Sequence, residues 1–164
     1  MTSELHRPIA LDRIGPQGTA FAVDAEPDEL SAVASRLRVV AVSMLHCAFK
    51  LRRIGGSTIE AQGVLKARVT EVCVVSLEPF DHDVHESFAV HFVPAGTEDD
   101  EPEPDAIDQI PFETGSVDVG EAAVEQLALA LDPYPRRPGA ELPAGLGSET
   151  ATAFAALAVL RPHE

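Results

Sequence analysis

The residues that could carry chemistry fall into five groups. Cys73 opens Cys73-Val74-Val75-Ser76. One thiolate alone cannot build a four-ligand structural zinc site. A small apolar strand residue is the plainer reading of Cys73. Asp81-His82-Asp83-Val84-His85-Glu86 packs two histidines and three acids into six positions. Folded into a turn they could converge on a metal; in a strand His82 and His85 point to opposite faces. Glu98 to Asp105 alternates acids as a calcium loop does, but it has prolines and lacks the glycine at the sixth position. Asp118, Glu121 and Glu125 are helix carboxylates. Asp118 and Glu121 fit a capping box, and Glu125 shares a side of the helix with Glu121. Last come Tyr134, Arg136 and Arg137 in Asp132-Pro133-Tyr134-Pro135-Arg136-Arg137-Pro138.

That last group is the best candidate for recognition. Three prolines fix the backbone and lower the entropy lost on binding. Tyrosine offers a stacking surface, and arginine grips phosphate or carboxylate. Both types are frequent interface hot spots. Tyr134, Arg136 and Arg137, with Asp132 and Glu125 beside them, are therefore the partner-binding candidates. The competing reading places Tyr134 at the core edge and spends the arginines on the chain's own acids. No glycine-rich phosphate loop, nucleophile elbow or zinc-protease helix is present. No catalytic residue, cofactor or metal site is assigned, and the residues lean away from an enzyme. The alternative is a metal-dependent RNA-processing enzyme using Asp81 to Glu86, which would need a carboxylate–metal site.

These groups must be positioned by a small set of elements. Pro8–Leu11 and Ala20–Val23 read as short extended pieces broken by Gly15-Pro16-Gln17-Gly18. Pro27 to Arg38 reads as a helix: proline at the first position, acids in the first turn, and Leu30, Val33, Ala34 and Leu37 on one face. Val39–Ile54 and Thr58–Val75 read as strands joined at Gly55-Gly56. Leu45, Cys47, Phe49 and Leu51 then share a face away from His46, Lys50 and Arg52. Pairing Leu51 with Ala61, Cys47 with Leu65 and Arg52 with Glu60 matches apolar to apolar and charge to charge. The same register sets Cys73 opposite Val39, about 27 Å from Cys47 at 3.4 Å per residue, too far for a disulfide. His85–Val93 reads as a third strand, and Pro94–Gln109 as an acidic loop that cannot repay the cost of ordering.

Asp118 caps a second helix with Val124, Leu127, Ala128 and Leu131 on one face, ended by Asp132-Pro133. The expected fold is one α+β domain over residues 1–139. It has a twisted antiparallel sheet, long enough to curl towards a partial barrel, and two main helices packed on it. Residues 140–164 read as a flexible linker and a short apolar segment, Ala151 to Leu160.

The chain has 164 residues, with 12 Lys+Arg against 27 Asp+Glu and a net charge of −15. A surface this acidic repels a phosphate backbone and favours cationic partners. RNA would be met through a local patch or through a basic protein. Two cysteines do not make a disulfide scaffold. No signal peptide follows the start and no apolar run reaches the roughly 20 residues of a membrane helix. A soluble, cytoplasmic protein with reduced thiols is expected.

Two blocks carry a resemblance. Cys73-Val74-Val75-Ser76-Leu77-Glu78-Pro79-Phe80 and the run from Val117-Asp118-Val119-Gly120-Glu121 to Arg136-Arg137-Pro138-Gly139 resemble the YceD family, in the form typical of alphaproteobacteria. The resemblance covers roughly residues 20–139 and extends to Phe154–Leu160. It implies a role in accumulation of large-subunit ribosomal RNA and leaves the molecular activity open. Some members carry a second cysteine at the position of Ser76. The reading that joins this process to the residues is a non-enzymatic ribosome-biogenesis factor supporting synthesis, processing or stability of that RNA. Its partner would be a basic ribosomal protein or assembly factor, with ribosomal RNA met indirectly.

Overall fold

The computed structural model describes residues 4–97, 106–113 and 115–141. In chain order the elements are β1 (Pro8–Ala10), a 3-10 turn (Leu11–Arg13), β2 (Thr19–Asp24), α1 (Pro27–Leu37), β3 (Ala41–Gly55), β4 (Thr58–Val72), β5 (Pro79–Pro94), β6 (Asp108–Phe112), β7 (Ser116–Asp118) and α2 (Val119–Ala130). The α+β expectation holds. Five strands form one sheet in the order β2-β3-β4-β5-β6, while β1 and β7 pair with each other. The sheet is open, not a closed barrel. It is also mixed: β2 to β5 run antiparallel, and β6 lies parallel to β5. Pro111 marks β6 as an edge strand, where a missing N–H is tolerated.

The β3–β4 register matches the sequence expectation at its centre. Cys47 faces Leu65, Leu51 faces Ala61 and Arg52 faces Glu60. Nearer the start of β3 the ladder shifts between Val42 and Met44. A strict period of two would turn Val42 away from Leu45, Cys47, Phe49 and Leu51. The bulge absorbs Ser43, so Val42 and Leu45 are both buried while Ser43 and Met44 are exposed. It also moves the register by one, the β3–β4 ladder ends at Ala41–Thr70, and β4 itself stops at Val72. Cys73 is therefore in a turn and not opposite Val39, and both cysteines are free thiols.

One face of the sheet is the core. Leu45, Cys47, Phe49, Leu51, Ile59, Ala61, Leu65, Val69, Val90 and Phe92 pack there with Val33 of α1 and Val124 and Leu127 of α2. Phe49 and Phe88 meet edge to face at 5.7 Å across Gly63, whose missing side chain leaves room for the Phe88 ring.

The helices are capped differently from each other. In α1, Glu26 and Glu29 form the capping box and Pro27 opens the helix. In α2, Asp118 accepts from the backbone N–H of Gly120 and Glu121. Glu121 turns its carboxylate to Arg36, with contacts of 2.9 and 2.5 Å. The buried face of α2 is also wider than its spacing suggested. Val119, Gly120, Ala122, Ala123, Val124, Gln126 and Leu127 are buried, and Ala128 is exposed. The cause is the N-terminal segment, which crosses over the start of the helix: the Val119 N–H donates to the Arg7 carbonyl. A Cβ on Gly120 would lie 2.2 Å from the Leu5 carbonyl oxygen.

Candidate functional site: the Cys73 turn and the segment after the last helix

β4 and β5 are joined by Cys73–Glu78, a turn closed by backbone bonds. Cys73 N–H donates to Glu78 O at 2.9 Å, and Leu77 N–H to Cys73 O at 2.8 Å. Leu77 sits in the left-handed region at φ 59. A leucine there carries strain of about 1 kcal/mol or more. Its side chain recovers nothing by burial, being 76% exposed. Val74 beside it is 43% exposed.

The segment after α2 is fastened to this turn. Val74 N–H donates to Pro135 O at 2.9 Å, and Arg137 Nη1 meets Glu78 Oε2 at 2.8 Å. Asp132 Oδ1 accepts from the Tyr134 N–H at 2.8 Å, which fixes the bend before Tyr134. Tyr134 is 70% exposed and does not sit at the core edge. Arg136 is exposed and has no ion pair among the described residues. Four of the five sequence candidates thus lie on a segment tied to the Cys73–Glu78 turn at Val74 and Glu78. Glu125 does not join them. It is half-buried on α2 beside Glu121, and its carboxyl is pushed above the ordinary carboxylate range, first by burial and then by the Glu121 charge.

Beneath the turn, Cys73 is closed to solvent. The Ser76 hydroxyl, the Ser76 N–H and the Arg137 N–H all point at its sulfur, with Ser76 N 3.4 Å away. These donors favour the thiolate more than burial opposes it, and the thiol is pushed down to about 6. Cys47, held among core side chains with burial alone acting on it, is pushed up to about 12.

The Asp81–Glu86 group is laid out along β5. Asp81 accepts from the Thr70 hydroxyl at 2.6 Å, and Asp83 lies 3.5 Å from Arg68. His82 faces inward, 2.6 Å from the buried Glu71 and stacked on Phe80, while His85 is exposed. Among the described residues no three His, Cys, Asp or Glu side chains are placed to hold a metal. No helix among them is long and apolar enough to cross a membrane. The acidic run at residues 98–105 and the segment from residue 142 onward lie outside the described residues.

The sequence reading missed Leu77, Val74 and Glu71. Left-handed positions are usually marked by glycine or asparagine, and Leu77 carries no such mark. Glu71 falls in phase with Leu65 and Val69 on the inward face of β4, and its partner His82 is supplied only when β5 pairs beside it.

The sequence model of the large ribosomal RNA subunit accumulation protein YceD matches residues 61–160, more than half of the chain. The chain belongs to the YceD family. The match takes in β4 from Ala61 onward, the Cys73 turn, β5, α2 and the Asp132–Arg137 segment. YceD membership gives the chain a role in accumulation of large-subunit ribosomal RNA. No curated protein and no solved structure matches the chain.

Proposed function

We propose that this YceD protein is a non-enzymatic ribosome-biogenesis factor that binds a basic ribosomal or assembly protein. In this way it supports the synthesis, processing or stability of large-subunit ribosomal RNA. One observation carries the reading. The Val74–Pro135 bond fastens two distant stretches of chain into a single surface, with Leu77, Tyr134 and Arg136 turned to solvent. A fold gains nothing from a strained, exposed leucine on one stretch and an exposed tyrosine on the other; a binding surface does. The net charge of −15 draws a cationic partner, and the rigid turn makes the specific contact.

The test is the paired variant Arg136→Ala/Arg137→Ala, with Tyr134→Ala as a companion. Arg137–Glu78 is an exposed pair, worth about 0–1 kcal/mol. Both variants should therefore melt close to wild type while losing about 30-fold or more in partner affinity, the size of a hot-spot loss. A variant that unfolds would return these residues to a structural role. Full partner affinity in a folded variant would remove the turn from the interface.

A further inference from the structure

The outer face of the sheet carries a second surface of opposite character. The chain has only two lysines, Lys50 and Lys66. The alternation of β3 and β4 puts both on the face away from the core. Lys50 pairs with Gln62, which pairs with Ala89; two rows on, His46 pairs with Lys66, which pairs with His85. Between these rows the face is hollow, because its side chains are short. A depression of about 630 Å³ is lined by Ala48, Lys50, Gln62, Val64, Ser87 and Ala89 of this face, with Phe49, Gly63 and Phe88 of the alternate positions between them. A second hollow of about 260 Å³ continues from the same Lys50 and Gln62 towards Gln17 and Arg52.

The charges here are placed against the trend of the molecule. Arg52 is paired with Glu60 and His46 with Asp24. Neither lysine has an ion pair among the described residues, in a chain with 27 acids. Four positions along a strand and one strand across set them about 14 Å apart. That is a span of a few nucleotides in an extended strand. Phe49 and Phe88 border the hollow from alternate positions of β3 and β5 and pack edge to face against each other and the core. The grip of the lysines would be on the backbone and blind to sequence.

We propose that the outer face of β3, β4 and β5 holds the phosphate backbone of single-stranded ribosomal RNA, with Lys50 and Lys66 as the phosphate contacts. The short side chains between them let the strand approach the sheet. The acidic remainder of the surface repels RNA and so confines it to this face. The protein partner at the Tyr134 turn and the RNA would then occupy separate surfaces of one molecule.

The experiment uses the full purified chain alone, so its outcome does not depend on the protein partner. Binding of a short fluorescent oligouridylate is followed by anisotropy between about 50 mM and 200 mM salt, a range over which phosphate contacts weaken strongly. Each phosphate contact to a single strand contributes a slope of about 0.7, or about fivefold in affinity near 0.1 M salt. Lys50→Ala/Lys66→Ala should thus lose about 25-fold and flatten the log–log slope by about 1.4. Arg136→Ala/Arg137→Ala should bind the oligonucleotide as wild type does. No binding by wild type, a loss confined to the arginine variant, or an unchanged slope in the lysine variant would overturn the proposal. Tighter binding of a polyglutamate peptide than of the oligonucleotide would also overturn it, by making this a protein-docking face.

Discussion

At the scale of single residues, Cys73 is the most unusual group. Its sulfur lies under a closed turn and still favours the ionised form, because Ser76 and the Arg137 backbone aim donors at it. Thiolate absorbance should therefore titrate with a midpoint of about 6, and Ser76→Ala should move that midpoint up towards the ordinary thiol value. The sign for stability follows. The folded state releases this proton before the unfolded state does, so Cys73 adds stability as pH rises through the interval from about 6 to 9. That contribution is complete above the unfolded value and is lost as pH falls through the folded one. Replacing Cys73 with serine should flatten the melting temperature over that interval. An equal pH dependence in the variant would show that the sulfur is an ordinary thiol. Cys47 does not interfere, because its thiol stays protonated across the same range.

At the scale of elements, the start of α2 is set by one glycine. Gly120→Ala would gain about 1 kcal/mol of helix propensity. Against that stands a new Cβ 2.2 Å from the Leu5 carbonyl oxygen, which is backbone and is tied down by the Val119–Arg7 and Arg7–Asp118 bonds. Overpacking of this kind costs about 1–3 kcal/mol and should prevail. The melting temperature should fall by about 2–4 °C for each kcal/mol of net loss. A variant as stable as wild type would mean that the N-terminal segment is not held across the helix. Most of the elements were legible beforehand, because α1, β3 and β4 have strong periodicity and well-marked ends. The misses share a cause in tertiary contact. β6 was hidden by Pro111, which is permitted only because β6 lies at an edge. The Ser43 bulge was hidden because alternation looks regular on either side of it. Ala128 looked buried by spacing, yet the cover comes from Leu5 and Arg7 at the other end of α2. The Asp132–Arg137 segment was legible as a rigid turn; its junction with Cys73–Glu78, and the exposed Leu77 there, needed the fold.

At the scale of the whole molecule, the proposed division of labour rests on charge. With 27 acids against 12 basic residues, the field of the chain favours a cationic partner over a phosphate backbone. Membership of YceD supplies the process, accumulation of large-subunit ribosomal RNA. An acidic factor that takes up a basic partner during subunit assembly joins that charge to that process. The measurement that tests this most directly is recovery of the tagged protein from growing cells, washed at low and at high salt, with bound proteins identified. The account predicts basic large-subunit ribosomal proteins or assembly factors at low salt, their loss at high salt, and their absence from the Arg136→Ala/Arg137→Ala variant. Recovery of no ribosomal or assembly component by the wild-type protein, or equal recovery by the variant, would contradict it.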